Sequence, residues 1–119
     1  HLAKAYKETD QQLQAKLTSL LLELKRRGNV ALWGAGAKGA TLAHLVDTSR
    51  QLIDAVVDIN PNKQGKYIPG SGHKIIAPSQ LRQYAIEHII LMNPNYREEI
   101  QTLLAAEGQY VTLHEWSIT

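Results

Sequence analysis

The chain has 119 residues, 44% of them hydrophobic and 20% charged, with 13 basic against 11 acidic side chains for a formal charge of +2. That length accommodates one domain with a real core and is too short for a two-domain dehydrogenase, while the composition excludes a disordered or fibrous chain. Cysteine is absent, which excludes disulfides and thiolate metal sites, and the near balance of charge speaks against a nucleic-acid partner.

No apolar stretch reaches the roughly 18 residues of a membrane span and no secretory leader is evident, so a cytoplasmic protein without a membrane partner is expected. The chain begins at His1 and enters helical sequence at once, as expected of a piece of a longer polypeptide. Leu13, Leu17, Leu20, Leu21 and Leu24 recur at helical spacing and Gly28 stands as a stop signal, which predicts a long amphipathic helix over residues 2–27. Lys25, Arg26 and Arg27 complement the dipole at its end. The first half is more polar than the second, so residues 1–27 read as a connector from an upstream domain and residues 28–119 as the domain itself.

Next comes "NVALWGAG", an apolar run from Val30 to Trp33 that ends in glycines, followed by helical composition from Ala37 to Val46. A second apolar run, Ile53 to Ile59, contains Asp54 and Asp58 and stops at Asn60, Pro61, Asn62. The glycine-rich "KQGKYIPGSGHKII" predicts an irregular loop with a short strand at Lys74 to Ile76, and Pro78 suits the first turn of a helix through Tyr84. "HIILMNPNY" repeats the strand-then-Asn-Pro-Asn pattern. Asn95 with Glu98 predicts a capping box for a helix from Tyr96 to about Ala106, closed by Gly108, and Tyr110 to Leu113 predicts a last strand. Alternating strands and helices predict a small Rossmann-like three-layer α/β domain with a mostly parallel sheet.

Gly34, Gly36 and Gly39 match G-x-G-x-x-G after a strand and before a helix, and Asp58 follows at about the 20-residue distance at which the dinucleotide fingerprint places its acid. One glycine makes the tight turn, one admits a pyrophosphate to the backbone, and one lets helix and strand pack closely. The same pattern is met by a turn that needs glycine for backbone reasons alone, with Asp58 capping a loop. Both readings stand at this level.

Lys38, Asp58, Asn60, Asn93, Asn95 and Tyr96 all follow carboxyl ends of predicted strands, where open α/β sheets bind ligands. Lys63, Lys66, Tyr67 and His73 in the glycine-rich loop are further candidates for contacting a phosphate or sugar, Tyr67 by stacking. Each has a plain alternative as a turn starter, a helix cap or a solvated side chain. The five histidines show no ligand spacing and no nucleophile stands beside a base, so neither a metal site nor a catalytic residue is expected and the sequence supports binding rather than catalysis.

The strings "VALWGAGAKGATL", "VVDINPNKQGKYIPGSGHKI", "APSQL" and "LMNPNYREEI" together resemble the C-terminal domain of S-adenosylmethionine-dependent C-methyltransferases, including those acting on nucleotide-linked deoxysugars. The resemblance joins separated segments in order over nearly the whole chain. It implies an enzyme with an N-terminal zinc-binding segment, a central domain that holds S-adenosylmethionine and transfers the methyl group, and a Rossmann-like C-terminal domain. By that resemblance no cofactor is expected on this chain, the upstream domain is its partner, and its strand-end loops face a nucleotide-sugar substrate. The family's glycine loop falls on Gly34, Gly36, Lys38 and Gly39, its acidic strand end on Asp58, and its asparagine-proline turns on Asn60 and on Asn93 to Tyr96. An NAD(P)-binding module and a purely structural interaction domain remain the alternatives.

Overall fold

The computed structural model describes residues 2–108 and 111–115. Its centre is β1 (Asn29–Trp33), whose Val30, Ala31 and Leu32 are all buried, as a strand covered on both faces requires. β2 (Ala55–Val57) and β4 (Ile86–Leu91) flank it, β3 (Ile75–Ile76) lies beyond β2, and β5 (Thr112–Glu115) beyond β4. The order is therefore β3-β2-β1-β4-β5 with every pair parallel. This is the Rossmann-like sheet that the alternation of elements predicts.

Side chains alternate between two cores across that sheet. Val30, Leu32, Val56, Ile75 and Ile90 face one layer, which α1 (Leu2–Arg27) closes with Leu17, Leu21 and Leu24 and α2 (Ala37–Val46) closes with Ala43. Ala31, Ala55, Val57, Ile76, Ile89 and Leu91 face the other, closed by Ile100 and Leu104 of α3 (Arg97–Ala106). The register Ala31↔Ala55 and Ala31↔Ile89 keeps residues of one core side by side. The second half of α1 is thus built into the domain. Lys25 fastens its end, donating from Nζ to Asp54 at 2.7 and 2.9 Å and to Asn29 Oδ1 at 2.9 Å.

Four expectations need correction. The second strand is confined to Ala55–Val57, because Asp54 turns back on β1, donating its N–H to the Val30 carbonyl and accepting the Val30 N–H on its carboxylate. The helix expected over Pro78 to Tyr84 is a single 3-10 turn, Pro78–Gln80, followed by turns. So short a segment gains too few bonds to repay helix nucleation, and Ala85 at φ 54 ends it in the left-handed region. The Asn95 capping box does not form: α3 has Tyr96 at its N-cap with no side-chain bond, and Asn93 instead accepts the Asn95 N–H at 3.0 Å. The last strand runs Thr112–Glu115, and Tyr110 and Trp116 lie outside the described residues.

Between β2 and β3 no helix forms. Residues 65–68 descend antiparallel along the outer side of β3, with Ile75 donating to the Lys66 carbonyl at 2.8 Å and Ile68 to the His73 carbonyl at 2.8 Å. Tyr67 and Lys74 form the cross-strand bridge of this hairpin.

Candidate functional site

The sheet order reverses direction between β1 and β4. β1 leads through α2 to β2 on one side, and β4 leads through α3 to β5 on the other, over the opposite face. The loops leaving the carboxyl ends of these two strands part there, which is where open α/β sheets form a ligand crevice. The glycine loop leaves the end of β1 and Asn93 to Tyr96 the end of β4.

Each glycine of the loop has its own reason. Gly34 sits at φ +108, a conformation that disfavours side chains, and its N–H reaches the Val57 carbonyl at 2.7 Å. A Cβ on Gly39 would collide with the Gly34 carbonyl oxygen, so this position sets the close approach of α2 to the turn. At Gly36 a Cβ would meet nothing, and its extended backbone is open to any residue. Gly36 is thus exposed, with open space above it at the carboxyl end of β1.

α2 begins at that point without a side-chain cap. The first backbone N–H groups of a helix have no partner within it and carry the positive end of the dipole. Lys38, exposed in the first turn, adds a cation. An anionic group is what such an arrangement attracts.

Asp58 stands at the end of β2 with both carboxylate oxygens engaged. Oδ2 accepts the Ala35 N–H of the glycine loop at 2.9 Å, and Oδ1 accepts the Asn60 N–H at 2.8 Å. It braces the loop, as the plain alternative has it. Asn60 continues the brace by accepting the Asn62 N–H at 3.0 Å on its side chain and the Lys63 N–H at 3.0 Å on its carbonyl. Across the crevice, Asn93 organises its turn in the same way, and Asn95 and Tyr96 are exposed, Tyr96 by 52%.

Gly34, Gly36, Lys38, Gly39, Asp58, Asn60, Lys63, Asn93, Asn95 and Tyr96 are thus gathered at the carboxyl ends of β1, β2 and β4. Tyr67 and His73 are not among them. Tyr67 is 59% exposed on the hairpin beside β3, with the Lys74 ammonium 5.5 Å from its ring centre. His73 precedes β3 at the opposite end of the strands and is 1% exposed. Its Nε2 lies 2.9 Å from Asp47 Oδ2 and its Nδ1 2.7 Å from Ser71 Oγ. A ring so enclosed holds the fold and meets no ligand, which corrects the expectation of a contact residue.

Asp47 and Ser71 carried no signal in the sequence, since their partnership joins distant segments. Arg97, at the start of α3, was likewise unmarked: its Nε lies 3.5 Å from Glu115 at the end of β5, and its Nη1 is buried with no hydrogen-bond partner among the described residues. His88 and His114, on neighbouring strands, approach at 3.1 Å between Nδ1 and Nε2. Burial, then His88, then the Arg27 and Arg97 charges push the His114 pKa below the ordinary imidazole value. Among the described residues no group of three or more metal-ligating side chains forms, and no helix is long and apolar enough to cross a membrane.

No curated protein sequence matches the chain. Among solved structures, the Rex-family repressor RSP is similar at a TM-score of 0.53 and 17% identity, over 76% of this chain and 53% of that chain. RSP in complex with β-NAD+ and operator DNA is similar at a TM-score of 0.51 and 19% identity, over 73% of this chain and 49% of that chain. The chain spans about half the length of these structures, and the likeness shows the fold. The family described as the C-methyltransferase C-terminal domain matches residues 2–113. With almost its full length matched and its fold Rossmann-like, the chain belongs to the C-methyltransferase C-terminal domain family.

Proposed function

We propose that this chain is the non-methylating C-terminal domain of an S-adenosylmethionine-dependent C-methyltransferase, and that the crevice between β1 and β4 receives the diphosphate of a nucleotide-sugar substrate. The carrying observation is the open space over Gly36 at the uncapped start of α2, with Asn93 to Tyr96 following the carboxyl end of the neighbouring β4. Backbone N–H groups and the Lys38 ammonium bind the anion, while exposed Asn95 and Tyr96 offer polar and flat surfaces to a sugar or base.

The methyl donor, and the base that removes the substrate proton, belong to an upstream domain of the same polypeptide. This chain binds and orients, with α1 as the link between the two. Its setting is the cytoplasm, without nucleic acid or membrane as partner.

A second reading, a dinucleotide module, draws on the complete glycine fingerprint. Asp58 accepts one backbone N–H on each oxygen, from Ala35 and Asn60. Each oxygen keeps a further lone pair that a ribose hydroxyl can use without breaking the brace, so ligand titration separates the two readings.

Thermal unfolding of the protein with a deoxythymidine-diphosphate sugar, NAD, NADP or S-adenosylmethionine separates them. A ligand at about 100 times its Kd stabilises by roughly 2.7 kcal/mol. Stabilisation by the nucleotide sugar, lost in Gly36→Val, supports the proposal. Stabilisation by NAD overturns it in favour of the dinucleotide module, and silence to all four overturns substrate binding by this chain and leaves an interaction domain.

A further inference from the structure

Lys66, Tyr67 and Lys74 of the hairpin between β2 and β3 are not used by the crevice. The hairpin sequence is one-sided in charge: between Asp58 and Glu87 the chain has no acidic residue, while Lys63, Lys66 and Lys74 all fall on or beside the hairpin. Among the described residues none of the three lysines has a carboxylate within ion-pair distance. Arg50 adds a fourth cation at the hairpin's turn, where its Nη1 donates to the Ser71 carbonyl at 2.8 Å.

This charge is presented on a stiff support. Cross-strand bonds from Gly65, Ile68 and Ile75 hold the two arms, Ile68 is buried in the core, and Arg50 clasps the turn from outside. From inside, the Asp47–His73–Ser71 chain fixes the base of the returning arm. A buried polar network costs desolvation and in return specifies position. Tyr67, 59% exposed beneath the Lys74 ammonium, gives the surface a flat apolar patch among its charges.

We propose that this hairpin is a docking surface for an acidic polypeptide segment. The Lys74 ammonium over the exposed Tyr67 ring, with Lys63 and Lys66 on or beside the same hairpin, matches a short run of carboxylates with an apolar or aromatic neighbour. Lysine ammonium groups act as point charges that accept carboxylates without fixed geometry. A nucleic-acid surface calls instead for a charge track along a phosphate backbone and several stacking platforms, whereas this hairpin exposes the single ring of Tyr67 among the described residues, on a chain of net charge +2. Lys66, Tyr67 and Lys74 lie on the edge beyond β3, while Lys63 stands where the hairpin leaves the carboxyl end of β2.

Fluorescence anisotropy of a labelled oligoglutamate peptide tests this, with an oligothymidylate strand and phosphatidylserine vesicles as competing probes. The expected result is peptide binding that weakens with added salt and falls by roughly tenfold or more when Lys63, Lys66 and Lys74 are all replaced by Glu. Lys66→Gln, a single change at an exposed position, is expected to weaken it by a smaller factor and guards against a misfolded triple variant. No binding of the peptide, affinity unchanged by the substitutions, or tighter binding of either competing probe overturns the proposal.

Discussion

His73 Nε2 and Asp47 Oδ2 meet at 2.9 Å with both side chains 1% exposed, tying the end of α2 to the arm that leads into β3. The same carboxylate accepts the backbone N–H groups of Gln51, Leu52 and Ile53 at 2.9, 3.0 and 2.8 Å. Asp47→Ala leaves those donors and the imidazole without their acceptor. The expected cost is about 3–5 kcal/mol, the range for breaking a buried polar pair from one side. In a denaturant titration the midpoint falls strongly, while Asp47→Asn, which keeps one acceptor oxygen, falls less.

The glycine loop separates two substitutions that the sequence motif treats alike. Gly39→Ala drives a methyl group into the Gly34 carbonyl and is expected to destabilise the domain by about 1–3 kcal/mol. Gly36→Ala places its methyl in open space at an extended backbone, with an expected stability change within about 1 kcal/mol. Thermal unfolding measures the first effect. Nucleotide-sugar titration is expected to show weakened binding for the second in a protein that remains folded.

Stability is expected to depend on pH through His114. Its folded-state pKa lies below the unfolded value of about 6.5, so the unfolded chain binds more protons in the interval between them. The folded state is favoured above that interval and loses stability as the pH falls through it. His114→Gln removes the titration, and its unfolding midpoint is expected to change less than the parent's between neutral and mildly acidic pH.

Leu21 of α1 is fully buried between α2 and the sheet. Leu21→Ala is expected to cost about 2–5 kcal/mol by chemical denaturation. The neighbouring Leu22 is 52% exposed, and Leu22→Ala is expected to have little effect on stability. A cost for Leu21 close to that for Leu22 shows a helix that hangs from the domain without belonging to it.

Local signals were legible wherever one short segment decides the outcome. The helix from Ala37 to Val46 has the ends that its glycine loop and composition predict. Gly34 and Gly39 follow from steric rules that act within a few residues. Reading fails where a distant partner decides. The burial of His73 depends on Asp47, 26 positions earlier, and the role of Asp58 depends on a loop N–H at Ala35. Asn93 outcompetes Asn95 because a 3-10 turn, Pro94–Tyr96, intervenes before α3, which the Asn95 and Glu98 spacing does not reveal.

The enclosed Asp47–His73–Ser71 chain and the glycine loop occupy opposite ends of the same strands. One end carries buried polar groups whose loss is expected to weaken the fold, while the other carries Lys38, Asn95 and Tyr96, which are exposed and anchored by little beyond their own backbone. Selection can therefore rewrite the residues at the crevice without drawing on the network that keeps the domain folded. Such a separation leaves one end of the sheet free to vary while the other keeps its bonds.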